Sequence, residues 1–195
     1  MSSSTARPEL PVLTVVAGPN GSGKSSLSAV FAAGDPIVDP DAIARELNPA
    51  APERASIAAA RAAIGRSRSL LEMRRNFVVE TTLAGVGPVA LMRDARERGF
   101  RIRLVFVCLS TPELNIERVR ERVLQGGHDV PVEDIRRRYS RSLENASVAA
   151  SLAEEALLVD NSFTPATVAS VRAGRVIWQA NPMPEWAQSI LARLG

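Results

Sequence analysis

Cysteine and lysine each occur once in these 195 residues, and aromatic side chains make up only 4%. The lone Cys108 rules out an internal disulfide and fits a chain that works in a reducing compartment, with the cytoplasm as the expected location. Few aromatics and a formal net charge of only +3 leave little for stacking bases or gripping a phosphate backbone, which argues against a nucleic-acid partner. No apolar run approaches the ~20 residues of a membrane-spanning helix, so a membrane role is not expected either. Internal repeats and low-complexity linkers are also missing. What remains is a chain with 46% hydrophobic and 23% charged residues, enough for one domain with a good core. We expect a flexible N-terminus over 1–10 and a single domain over 11–195. The apolar stretch behind the N-terminus ends in Gly-Pro-Asn-Gly and does not read as a signal peptide.

The location of the one lysine is informative. Of 24 strongly basic residues, the other 23 are arginine. Lys24 stands in a complete G-x-x-x-x-G-K-[ST] phosphate loop formed by Gly18, Pro19, Asn20, Gly21, Ser22, Gly23, Lys24 and Ser25. An ammonium is compact and reaches between the β- and γ-phosphates of a nucleotide, where a planar guanidinium is too large. A bias of composition towards Arg explains the missing lysines but not the place of the survivor. The β-branched run 11–17 reads as a buried parallel strand, and Ser26 opens a helical pattern after the loop. Strand, Gly-rich turn and helix let backbone N–H groups and a positive helix end cradle phosphates. Gly18 to Ser26 are therefore the expected nucleotide contacts, with ATP preferred to GTP. Ser25 is the expected Mg²⁺ ligand, since Mg²⁺ keeps several waters and uses few protein ligands.

Short apolar strands (11–17, 36–38, 77–79, 101–109 and 156–159) alternate with helical stretches at 24–33, 39–47, 52–74, 85–98, 112–125 and 131–153. The pattern predicts an α/β fold of the P-loop NTPase type, with a mostly parallel central sheet flanked by helices. The end departs from it. Residues 168–172 and 175–179 around Ala173-Gly174 predict a C-terminal β-hairpin, and 184–194 a short helix. In an open sheet of this kind, ligands bind beyond the carboxyl ends of the strands. Asp39 (with Asp41 just past it), Glu80 and Asp160 all fall at such ends.

In Asp39-Pro40-Asp41, Asp39 can cap the helix that Pro40 begins, leaving Asp41 in the first turn and able to face the cleft. A kinase acting on an alcohol needs a carboxylate to orient the hydroxyl and accept its proton, so Asp41 is a candidate base. The competing reading is that Asp41 only complements the helix dipole. Glu80, Thr81 and Thr82 offer one acceptor and two hydroxyls, suited to a sugar or other polyol; Glu80 alternatively holds a Mg²⁺-bound water. Arg45, on the same helix as Asp41, is a further candidate substrate contact.

The segment 112–142 gathers Arg118, Arg122, Arg136, Arg137, Arg138 and Arg141 around Gly126-Gly127. Like-charged neighbours on a helix cost a few tenths of a kcal/mol each. Such clustering suits an arginine-bearing helical lid, approximately 118–145, that closes over a γ-phosphate and stabilises transition-state charge. Glu117, Glu121, Glu133 and Asp134 are on hand as partners for those arginines that are only a solvated face. His128, the only histidine, reads as a structural group in the lid turn or a substrate contact before a general base.

Taken together, GPNGSGKS, D-P-D-x-I-A, F-V-V-E-T-T-L-A-G, the run R-V-x-x-R-V-x-x-G-G-H-D-V-P-x-x-x-I-x-R-R-Y-x-R-S and V-D-N-S resemble the zeta-toxin family of P-loop kinases, over about 11–162. The resemblance implies transfer of the ATP γ-phosphate to a sugar hydroxyl of a UDP-N-acetyl amino sugar, and a small antitoxin protein as partner. By motif position it makes Asp41 the base, Glu80 the acidic residue after the third strand, and Arg122 and Arg138 the lid arginines, with Lys24 catalytic. Asp39 stands where asparagine is more usual, and Glu-Thr-Thr where better-studied members carry Glu-Gly-Thr. Two other readings stay open: a housekeeping metabolite or nucleoside kinase of the same fold, and a slow nucleotide-gated ATPase that serves as a binding module.

Overall fold

A computed structural model describes residues 10–127 and 129–194. The expectations for His128 and for the first nine residues lie outside the described residues. Seven strands form one sheet in the order β2-β3-β1-β4-β5-β6-β7. These are β1 (Val12–Ala17), β2 (Ile37–Val38), β3 (Phe77–Thr81), β4 (Arg101–Cys108), β5 (Glu155–Asp160), β6 (Ala166–Arg172) and β7 (Arg175–Gln179). The first five are parallel, and β6 and β7 join antiparallel as the expected hairpin. The central strands β1 and β4 are near-continuous apolar runs because helices cover both faces of the sheet. Leu13, Leu104 and Phe106 are fully buried there, and each contributes roughly 1.5–3 kcal/mol through burial of its side chain.

Among the described residues seven α-helices complete the fold: α1 (Lys24–Ala32), α2 (Pro40–Leu47), α3 (Ser56–Glu72), α4 (Val86–Glu97), α5 (Pro112–Leu124), α6 (Val132–Leu152) and α7 (Glu185–Leu191). The stretch predicted as one helix over 52–74 begins instead with a 3-10 turn at Pro52–Ala55. Pro52 cannot donate a backbone hydrogen bond, and α3 lacks a side-chain N-cap. The strand β3 runs to Thr81, so Glu80 lies inside it and not beyond it.

The arginine-rich segment is less separate from the body than a lid over 118–145 implies. α5 and the start of α6 share a small apolar cluster of Ile116, Val119, Val130 and Ile135. The second half of α6 belongs to the main core, where Ala146, Ala149 and Ala150 are completely buried. Only the first turns of α6 face the cleft. Below them Cys108 is buried and donates to the Leu109 carbonyl, to which Tyr139 also donates at 2.9 Å. Burial pushes the Cys108 thiol up to about 12. Among the described residues no helix is long and apolar enough to cross a membrane.

Candidate active site

Strand β1 pairs with β3 on one side and β4 on the other. The chain after β1 goes to the β3 side, and β4 returns on the opposite side. This is the reversal point at which open α/β sheets bind ligands. The phosphate loop occupies it. Its Gly18 N–H donates to the Thr81 carbonyl at 3.1 Å, tying the loop to the end of β3. Gly18 has φ 151°, and a Cβ there would collide with the Val107 carbonyl of β4. Gly23 has φ 85°, and a Cβ there would strike the Asn161 side chain. Both positions therefore require glycine.

Three side chains from distant parts of the chain brace this loop. Asn115 Nδ2 donates to Asn20 O at 2.6 Å, and Asn161 Nδ2 donates to Ser22 O at 2.8 Å. Arg118 Nη2 donates to the carbonyls of Asn161 (2.6 Å) and Ser162 (3.1 Å), fixing the segment that carries Asn161. Arg118 is thus turned towards the loop behind the nucleotide site. The composition of the loop gave no hint of these braces, although Asn161 lies within the V-D-N-S run.

The loop fits a polyphosphate. Gly23, the residue before α1, gives the helix no side-chain cap, so its first N–H groups are open to an anion. Among the described residues, Ser22 Oγ is buried without a hydrogen-bond partner. Lys24 is half-buried, with Nζ donating to Pro19 O at 3.3 Å. Burial lowers its pKa, and Glu80, Asp41 and Asp39 oppose that shift. An arriving phosphate would add to that opposition and favour the charged ammonium. Ser25 Oγ donates to Glu80 Oε1 at 2.7 Å and Ser28 Oγ to Glu80 Oε2 at 2.8 Å. The buried carboxylate is thus held against the Ser25 hydroxyl. Ser26 follows on the exposed side of α1.

A cavity of about 460 Å³ opens beside the loop. Lys24, Asp39, Asp41 and Glu80 line one part of it, Thr81, Thr82, Ala84 and Gly85 another, and Arg137, Arg138 and Arg141 a third. Asp39 caps α2 as expected, accepting from the N–H groups of Asp41 (2.9 Å) and Ala42 (3.1 Å). Burial, followed by the nearby Glu80, raises the pKa of Asp39. Asp41 is exposed into the cavity with its carboxylate uninvolved in the cap. The loop after β3 is strained: Leu83 is fully buried at φ 58°, a left-handed backbone that costs of order 1–3 kcal/mol in a non-glycine residue. Thr81 Oγ1 accepts from its N–H, Asn145 Nδ2 donates to its carbonyl, and the Ser142 hydroxyl donates to Thr82 O.

Several expected contacts lie elsewhere. Asp160, at the end of β5, does not face the cavity; it accepts from Trp186 Nε1 at 2.9 Å and from the Ser162 N–H at 2.8 Å. The α7 indole engages one of its oxygens and the chain turn the other, so two of the three strand-end regions converge on the cavity. Arg45 is largely exposed, 3.8 Å from Asp39, and does not line the cavity. Arg136 points outwards between Glu113 and Glu133. Arg122 packs against the Gly127 backbone and lies near enough for its charge to lower the Lys24 pKa slightly. Arg138 is the arginine that meets the loop, with Nη1 donating to Asn20 Oδ1 at 3.3 Å.

Fold and site together define the class: a P-loop protein with the kinase-like arrangement of sheet, phosphate loop and arginine-bearing helices. The family model of the zeta toxins matches residues 1–163, and the chain belongs to the zeta toxin family. It is 36% identical over 123 residues to an uncharacterized protein of Haemophilus influenzae, covering 63% of this chain and 88% of that one. Among solved structures it resembles the PezAT chromosomal toxin-antitoxin system of Streptococcus pneumoniae. There the TM-score is 0.63 at 15% identity, covering 99% of this chain and 89% of that one. The AvrRxo1-ORF1:-ORF2 complex solved with ATP gives 0.63 at 18% identity, with 95% of this chain and 65% of that one covered. At such identities the structural likeness concerns the fold.

Proposed function

We propose that this protein is a Mg²⁺- and ATP-dependent kinase that transfers the γ-phosphate to a hydroxyl group of a small molecule. One observation carries the reading: Lys24, Asp41 and Arg138 line the same cavity beside a braced phosphate loop. The N-terminus of α1 and the backbone of residues 18–26 hold the phosphates, and Lys24 meets the terminal ones. Ser25 and Glu80 would hold Mg²⁺, which when bound neutralises charge on the β- and γ-phosphates. Asp41 orients the acceptor hydroxyl and takes its proton. The hydroxyl oxygen forms the new bond to the γ-phosphorus, the β–γ bridging P–O bond breaks, and ADP leaves with that electron pair. Arg138 stabilises the charge spread over the equatorial oxygens, and Arg122, near enough to act on Lys24, adds to the positive field.

Thr81 and Thr82 supply hydroxyls for a polyol acceptor. Glu80, held against Ser25 and Ser28, is better suited to the metal than to the acceptor. The family resemblance nominates a UDP-N-acetyl amino sugar as acceptor and a small antitoxin as partner. Co-purification with the product of an adjacent small reading frame tests the partner. For the reaction itself, calorimetry with magnesium present should register heat on adding ATP. Asp41→Asn should then bind ATP while losing phosphoryl transfer. Full transfer by that variant would show the base assignment to be wrong.

A further inference from the structure

The segment after β5 joins the phosphate loop to α7. Asp160 Oδ1 accepts from the Ser162 N–H at 2.8 Å, which closes a tight turn over 160–162. Between the two, Asn161 donates its N–H to the Cys108 carbonyl at 2.9 Å and its Nδ2 to Ser22 O at 2.8 Å. The turn therefore carries the amide that holds the phosphate loop. That amide lies 2.3 Å from where a Cβ on Gly23 would stand, so its place also bounds the backbone at the entry to α1.

The second oxygen of Asp160 is committed to α7. Trp186 Nε1 donates to Oδ2 at 2.9 Å. Trp186 is only 3% exposed, its ring centroid lies 6.0 Å from that of Phe106 on β4, and Ala187 and Ile190 beside it are fully buried. The indole is thus a fixed donor. A hydrogen bond to an ionised group is roughly twice as strong as one between neutral groups. This one sets the plane of the carboxylate whose other oxygen shapes the turn. Without it the carboxylate, which is only partly buried, is free to swing towards water. Arg118 on the Asn161 and Ser162 carbonyls, and the Ser110 N–H on the Ser162 hydroxyl, hold the same segment. Loss of the indole bond therefore loosens the turn without releasing it.

We infer that Trp186 is a positioning residue for the nucleotide site, acting through Asp160 and Asn161 on the phosphate loop, so that the docking of α7 sets the affinity for ATP. This rests on the nucleotide-binding half of the kinase reading above. The test is calorimetry with Mg²⁺ and ATP on the full chain and its variants, at a temperature where each keeps the circular dichroism of the parent. Trp186→Phe retains a ring beside Phe106 and loses the donor. Asp160→Asn breaks the link from the other side, leaving one acceptor oxygen for two N–H donors. Each should raise the Kd for ATP about 3- to 30-fold. In an Asn161→Ala background either substitution should add less than twofold, because the connection is already cut. Unchanged ATP affinity in both single variants would overturn the inference and leave Trp186 an anchor for α7 alone, with the nucleotide site intact. Full additivity with Asn161→Ala would overturn it as well. Should Trp186→Phe fail to fold, Asp160→Asn decides by itself. No heat from the parent would overturn the nucleotide site, and the inference with it.

Discussion

The two walls of the cleft are built on opposite plans. The phosphate loop is held by groups far away in sequence, with Asn115, Asn161 and Arg118 occupying its backbone carbonyls or the segment behind them. The α6 wall presents Arg137, Arg138 and Arg141 to the cavity, with Arg137 turned to Asp134, while Arg136 on the outer side of the helix is turned to Glu113 and Glu133. The loop must hold one invariant object, a polyphosphate, and rigid donors stabilise it without reorganisation. On the kinase reading the wall faces the acceptor, and two of its arginines are held by short contacts, Arg137 to Asp134 on its own helix and Arg138 to Asn20.

Substitutions on each side should separate the two plans. The largest effect is expected at the boundary between them: Asp41→Asn should lower kcat about 10²- to 10⁴-fold, with ATP affinity by calorimetry within about twofold because Asp41 lies outside the loop. Lys24→Ala should weaken both transfer and ATP binding, since the same ammonium serves ground state and transition state. Next, Gly23→Ala should weaken ATP binding by about tenfold or more, through strain at positive φ and collision with Asn161. Asn161→Ala alone should cost about 1–3 kcal/mol in denaturant unfolding by leaving Ser22 O unpaired. With both singles and the double measured by the same denaturant unfolding, the double variant should cost less than the sum of the two, because removing the amide relieves the collision. Additive losses would mean that the brace and the glycine act independently.

On the outer side of α6, Arg136→Ala should change stability by no more than about 0.5 kcal/mol, as exposed ion pairs usually do. The smallest effect concerns Asp39, whose folded pKa lies above its ordinary value because it is buried near Glu80. A carboxyl with a raised folded pKa favours the folded state most when protonated, below its unfolded value of 3.8. That contribution is lost as pH rises from there through the folded value. Asp39→Asn keeps a good helix cap and should therefore raise Tm at neutral pH, a gain that shrinks as pH falls towards the ordinary carboxylate range. A Tm difference independent of pH would place the effect in packing.

Much of this was legible in the residues. The loop, the strands on either side of it, the Asp39 cap with Pro40 at the first helical position and the terminal hairpin all follow from local chemistry, which a single sequence displays. The braces do not: Asn115 and Asn161 lie 95 and 139 residues from the loop positions they hold, and although Asn161 falls in the V-D-N-S run, nothing local ties either asparagine to the loop. Asp160 misleads for the same reason. Its place at a strand end is shared with Glu80, but Trp186, supplied by the last helix, claims one of its oxygens. The arginines divide according to helix phase and the partners that meet each one. Periodicity alone puts Arg118 and Arg122 on one side of α5, yet Arg118 serves the loop and Arg122 the Gly127 turn.

The buried thiol beneath α6 has a practical consequence. Buried without solvent exposure and with its pKa pushed up to about 12, the Cys108 sulfur stays a thiol at pH 8. It should stay silent towards maleimides and other alkylating probes. A reporter cysteine introduced on either wall of the cleft would then be the sole label point, so fluorescence can test whether the walls move on adding ATP without first removing a native residue.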